Sequence, residues 1–198
     1  MRRHRHVCAF FRNQAEQYEV LLPFVKEGVA SGDRGFHIVD PDRVAEHRAT
    51  LQQAGLPVDA LERDDKIAIR AWRDAYLRGG RFMQEAMLAL IEEVLRDGAK
   101  RGFPRTRLVA NMEWALLDRP GVDDLVEYET RLNYVLPKYE DPVICTYDLA
   151  RFDAGIVIDI LRTHPVVIVG GLVQENPFFV PPDELLRELE HRRAPASA

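Results

Sequence analysis

Short apolar runs separated by stretches with helical spacing do most to narrow the folds open to this chain. The runs are Val7–Phe11, Gly35–Val39, Ile67–Trp72, Leu108–Ala110, Val143–Tyr147 and Val166–Val169. Most are continuously apolar, which fits strands buried on both faces of a parallel sheet; Ile67–Trp72 alternates instead. Between them, Tyr18, Leu21, Leu22, Val25 and Val29 recur at helical spacing, as do Leu125, Tyr128, Leu132 and Val135, and Met83–Leu95 is amphipathic. This alternation predicts an α/β fold, a three-layer, mainly parallel sheet with helices on both sides. With 198 residues, no internal repeat and no linker, one domain is expected over residues 1–193, followed by a disordered tail at 194–198.

Punctuation residues set the expected boundaries. Pro23 should kink or restart the first helix, Gly32 should end it, and Gly55 and Gly98 should close later ones. Residues 56–66 read as a loop, Gly155 as a site of close helix packing, Gly170-Gly171 as the end of the last strand, and Asp183 as the cap of a final helix.

The formal net charge of -5, without a concentrated basic face, argues against direct nucleic-acid binding. No apolar segment approaches the roughly 20 residues that span a bilayer, and Arg12 interrupts the first apolar run too early for a signal peptide, so no membrane association and a cytoplasmic location are expected. Cys8 and Cys145 each sit in a strand-like run and read as buried, reduced thiols.

Function is expected where the strands end. Arg105–Leu116, RTRLVANMEWAL, carries an apolar strand straight into Asn111, Met112, Glu113 and Trp114, and ligands of open α/β sheets bind beyond the carboxyl ends of the strands. The candidate ligand-binding set is therefore Phe11, Arg12, Asp40, Trp72, Tyr76, Asn111, Glu113, Trp114, Tyr147 and Asp148. Asn111 and Glu113 share a face if the strand stays extended. Glu113 is also open to a structural reading, paired with Arg107 or Arg151. The aromatic residues can wall an apolar pocket or simply pack in the core.

Several chemistries lack their residues. The first strand-to-helix turn, FFRNQAEQY, has neither the glycines nor the lysine of a phosphate cradle, and Glu16 would repel a phosphate there. His4, His6 and Cys8 alternate as a conceivable metal trio, yet spacing alone does not make a site, and no HExxH occurs. Cys145, His164 and Asp148 could form a nucleophilic set only if the fold brought them together, and no GxSxG is present. The expectation is no catalytic residue, no metal and no cofactor.

The blocks HVCAFFRNQAEQYEVLLPFVKEGVASGDRGFHIVDPDR, NMEWAL, YETRLNYVLPKYEDPVICTYDLARF and ILRTHPVVIVGGLVQENPF resemble, in order, the MEDS domain, the sensory domain named for methanogens, methylotrophs and the dichloromethane-responsive regulator. The resemblance spans His6 to Arg192. It implies a prokaryotic signal-transduction input module for simple hydrocarbon derivatives, often joined to DNA-binding, kinase or sigma-factor-regulating modules. The layout also resembles the RecA and KaiC-like ATPase core with a degenerate nucleotide site, Asn111 falling where those ATPases carry a magnesium-binding Asp; an amide brings no charge to a hard cation. The reading is thus a non-enzymatic sensor that binds a small organic ligand and signals to a separate protein partner, a kinase, transcription regulator or sigma-factor regulator. An altered nucleotide-binding ATPase relative and a homodimerisation module using Phe178 and Phe179 are the alternatives.

Overall fold

The computed structural model describes residues 5–193, and the expected tail at 194–198 and His4 lie outside them. Seven strands form one sheet: β1 (His6–Phe11), β2 (Arg34–Val39), β3 (Ile67–Ala71), β4 (Thr106–Asn111), β5 (Val143–Asp148), β6 (Val166–Val169) and β7 (Leu172–Glu175). Their order is β3-β2-β4-β5-β1-β6-β7, with the first six parallel and β7 antiparallel to β6. The helices are α1 (Gln14–Ala30), α2 (Val44–Gln53), α3 (Val58–Arg63), α4 (Gln84–Lys100), α5 (Leu125–Val135), α6 (Ala154–Thr163) and α7 (Pro182–Arg193).

Alternation along each strand divides the core between two faces. On β1, His6, Cys8 and Phe10 point one way and Val7, Ala9 and Phe11 the other, and all six are buried, so both faces must be covered. Met87, Ile91 and Leu95 of α4, Leu125, Tyr128 and Leu132 of α5 and Ile160 of α6 cover the first face. Leu21 of α1 covers the second near β1, and Val25 of α1 with Leu51 of α2 and Leu61 of α3 covers it beside β3. The architecture is the three-layer α/β sandwich that the alternation predicts.

Several boundaries differ from expectation. One helix runs through Pro23, which faces solvent. Residues 58–63 form α3 rather than loop, a helix too short to leave a periodic signal. Helix α4 passes through Gly98, where a Cβ would collide with Thr106 Oγ1, and ends before Gly102 at φ 84°. Gly98 therefore serves helix–sheet contact, not termination. Gly155 has only its own capping residue Asp153 beside it, so no close packing is built on it. Gly170 and Gly171, at φ 56° and 75°, turn the chain into β7, whose four exposed residues gave no strand pattern. Pro182 begins α7, which places Asp183 in the first turn instead of at the cap.

Candidate functional site

The ten predicted residues lie at or just beyond the strands' carboxyl ends, but the structure distributes them among separate settings. The aromatic side chains pack on one another rather than wall a hollow. Trp114 is fully buried, stacked on Tyr76 at 4.6 Å between ring centroids and against Phe82 at 4.5 Å; its Nε1 has no hydrogen-bond partner among the described residues. Trp72 and Phe11 are core residues on opposite faces.

Beyond Asn111 the backbone leaves the strand for a 3-10 turn over Glu113–Leu116, so Asn111 and Glu113 do not share an extended face. Asn111 Oδ1 accepts from the Glu113 amide at 3.3 Å. The Glu113 carboxylate is buried and pairs with Arg151, one of the two structural partners foreseen for it. Asp148 spends its carboxylate on the Ala150 amide, 2.9 Å away.

The turn after β1 is occupied by its own acid. Asn13 caps α1 by accepting from the Glu16 amide at 3.0 Å, and Glu16 in return accepts from the Arg12 amide at 2.8 Å and from Arg12 Nε at 3.2 Å. A carboxylate thus takes the donors a phosphate would need. The neighbouring groove of about 640 Å³ is broad and open and carries Glu19 as well.

Two small, adjoining cavities lie under α1 on the second face, at the ends of β2 and β4. One, of about 30 Å³, is lined by Gln14, Gln17, Tyr18, Asp40, Arg43 and Asn111 among others. The second, about 20 Å³, has an apolar floor that includes Leu21, Val25 and Leu51. Gln17, Tyr18, His47 and Val109 border both. Tyr18 Oη and His37 Nδ1 each lie 2.9 Å from a His47 ring nitrogen. Burial lowers the His47 pKa to about 4, and burial with the neighbouring His47 ring lowers that of His37 well below its ordinary value, so both walls are neutral at pH 7. Asp40 also accepts from the Asp42 amide at 2.9 Å, which fixes the turn Asp40–Arg43 at the cavity mouth.

A denser polar cluster sits on the first face, inside the core. His6 of β1, Glu129 of α5, Cys145 of β5 and His164, between α6 and β6, bring four ligand-type atoms within 4.8 Å of one another, all buried. His6 Nε2 is 3.0 Å and His164 Nε2 3.4 Å from Glu129 Oε2; Cys145 Sγ is 3.6 Å from Oε2 and 3.8 Å from His6 Nε2. The other carboxylate oxygen, Oε1, accepts from Tyr147 Oη at 3.0 Å. Burial is the largest cause lowering His6, to about 4. Burial, with Glu129 alongside, pushes the Cys145 thiol well up.

Sequence reasoning took His6 in one rejected set and Cys145 with His164 in another, and missed Glu129 altogether. The structure draws from both sets and leaves out Asp148. One signal was legible: Glu129 falls four residues after Leu125 on the apolar stripe of α5, where a carboxylate is out of place.

Together these features define a mainly parallel α/β domain of KaiC-like architecture whose first strand-to-helix turn is closed by its own glutamate. A KaiC-like protein, PH0186, from the hyperthermophilic archaeon Pyrococcus horikoshii OT3 superposes with a TM-score of 0.58 at 18% identity, over 83% of this chain and 70% of that one. The model of the MEDS family, the MEthanogen/methylotroph, DcmR Sensory domain, matches residues 5–165, and the chain belongs to that family. A relative from Methylorubrum extorquens, the transcriptional repressor DcmR, is 26% identical over 163 residues, 81% of this chain. The match spans 58% of that repressor's length. Family and relative support a sensory role in signalling. Among the described residues no helix is long and apolar enough to cross a membrane.

Proposed function

We propose that this domain is a non-enzymatic sensor that binds a small organic molecule, of the size and character of a one- or two-carbon hydrocarbon derivative, at the carboxyl edge of the sheet and reports it to a protein partner. The observation that carries this reading is the paired cavity under α1, with a polar mouth at Asp40, Arg43 and Asn111 and an apolar floor at Leu21, Val25 and Leu51. An amphipathic cleft of this kind suits a ligand with an apolar body and one polar end. Its size decides against larger candidates: drug-sized ligands occupy roughly 300–1,000 Å³, whereas about 30 and 20 Å³ hold a few heavy atoms. The Glu16 carboxylate in the turn after β1 weighs against a nucleotide there.

Signal output follows from the turn Asp40–Arg43, which lines the cavity and leads into α2. A ligand that prefers one placement of this turn shifts its population, and the turn's outer surface is then what a partner reads. The repressor among the relatives supports transcriptional control as the output.

Amide chemical-shift mapping of the whole chain with methanol, ethanol and dichloromethane as probes tests the reading. Shifts confined to the surroundings of Tyr18, His47, Val109 and Asn111, and abolished by Val109→Phe, are expected. Absence of saturable shifts with every probe, or stronger binding of magnesium-ATP than of any of them, overturns it.

A further inference from the structure

We propose that His6, Glu129, Cys145 and His164 form a closed, four-coordinate site for a divalent transition-metal ion, zinc first. The proposal stands apart from the ligand cavity, which lies on the opposite face of the sheet.

Tautomers make the case. Asn133 Nδ2 sits 3.2 Å from Glu129 O, 3.2 Å from Thr130 O and 2.8 Å from Thr163 O, so that nitrogen is the donor and Asn133 Oδ1 faces His6 Nδ1, 3.2 Å away, as an acceptor. His6 Nδ1 must then carry the hydrogen. In the same way His164 Nδ1 faces the Ile160 carbonyl at 3.0 Å and Thr163 Oγ1 at 2.7 Å, while the Thr163 hydroxyl is itself directed at Ile160 O, 2.8 Å away. His164 Nδ1 is thereby the protonated nitrogen too. With Nδ1 carrying a hydrogen on each ring, Nε2 is the atom both histidines have left for a ligand bond, both Nε2 atoms face one carboxylate oxygen, and His164 Nε2 has no hydrogen-bond partner among the described residues.

Four ligand-type atoms, one of them a carboxylate oxygen, converge inside a dry core, and a cation between them engages all four at once. The spacing fits such an ion. Ligand atoms on a tetrahedral zinc stand about 3.3–3.6 Å apart, given Zn–N near 2.05 Å and Zn–S near 2.3 Å. Four of the six separations here are 3.0, 3.4, 3.6 and 3.8 Å, and all six lie within 4.8 Å. Two imidazoles, a thiol and a carboxylate suit a borderline-soft ion and are poor company for magnesium or calcium. The outer contacts have the form metal ligands need: His6 on Asn133, His164 on a carbonyl, Glu129 on the Tyr147 hydroxyl.

Four protein ligands leave no open position, so the ion ties β1, α5, β5 and the α6–β6 link together and performs no hydrolysis. Binding displaces the Cys145 proton to solvent, leaving thiolate on the metal.

Chelator-stripped full-length protein titrated with cobalt(II) tests this directly. One equivalent should bind, giving intense tetrahedral d–d absorption and a thiolate-to-cobalt charge-transfer band, and equimolar zinc should displace it and raise the melting midpoint. Cys145→Ser should remove the charge-transfer band, and Asn133→Ala should weaken binding 10- to 100-fold. His191→Gln, at the exposed end of α7, should change nothing. Cobalt(II) that binds wild-type protein without the charge-transfer band, or does not bind, overturns the assignment, as does undiminished affinity in a folded His164→Gln variant; the wild-type spectrum decides even where a variant fails to fold.

Discussion

Arg107 crosses α1 at Gly28, where a Cβ would stand 2.7 Å from Arg107 Cδ and 2.9 Å from Nε. The guanidinium cannot step aside: Nε donates to Asp33 Oδ2 at 2.7 Å, Nη1 to Phe24 O at 2.9 Å and to Glu27 Oε2 at 3.0 Å, and the ring of Phe24 lies 4.7 Å away. Alanine for glycine inside a helix ordinarily stabilises by about 0.5–1 kcal/mol. Here overpacking wins, and Gly28→Ala should destabilise by about 1–3 kcal/mol, measured by urea denaturation. A gain in stability would show that Arg107 is free to move.

Glu113 and Arg151 should respond asymmetrically to truncation. Glu113 is 3% exposed, whereas the Arg151 side chain is 43% exposed. Arg151→Ala leaves a buried carboxylate without its partner, while Glu113→Ala leaves a cation that can turn to water. The arginine variant should therefore lose more stability, by about 1–2 kcal/mol, and the double variant should resemble Glu113→Ala. Equal losses would mean that the pair acts as an exposed one.

These residues also show what could be read from sequence. A parallel strand buried on both faces reads as a nearly continuous apolar run, so β1, β4 and β5 were legible, and the carboxyl ends followed from them. Strand β7 and helix α3 were not, because four exposed residues and a six-residue helix carry no period. For Glu113 the sequence left a ligand site and a pairing with Arg107 or Arg151 open, and the structure pairs it with Arg151. Beyond the out-of-place carboxylate on α5, the cluster around Glu129 was out of reach: its members come from positions 6, 129, 145 and 164, and only the strand order, with β5 next to β1 next to β6, makes them neighbours.

Tyr147 contributes inside the core rather than at a surface. Its hydroxyl donates to Glu129 Oε1 at 3.0 Å, while its ring packs edge-on against Phe152 at 5.2 Å. Tyr147→Phe keeps the packing and removes a hydrogen bond to a charged acceptor, so a loss of about 1.5–3 kcal/mol in urea denaturation is expected. Shift mapping of the α1 cavity should be unchanged. Loss of ligand response with full stability would place Tyr147 at the ligand instead.

Acid sensitivity should pass in part through His47. Its folded pKa of about 4 lies below the ordinary 6.5, so between those values the unfolded chain binds more protons than the folded one and stability rises with pH. The contribution is complete above pH 6.5 and is lost as pH falls towards 4; a gap of that size corresponds to at most about 3 kcal/mol. His37 is shifted in the same direction and adds to the slope. Glutamine at 47 keeps a polar partner for Tyr18 but cannot titrate. Thermal melts of wild type and His47→Gln from pH 7 to 4.5 should accordingly converge as pH falls, whatever the common loss from carboxylate protonation. Parallel pH profiles would show that His47 reaches solvent in the folded chain and that the cavity wall is not the dry, neutral surface a hydrocarbon derivative requires.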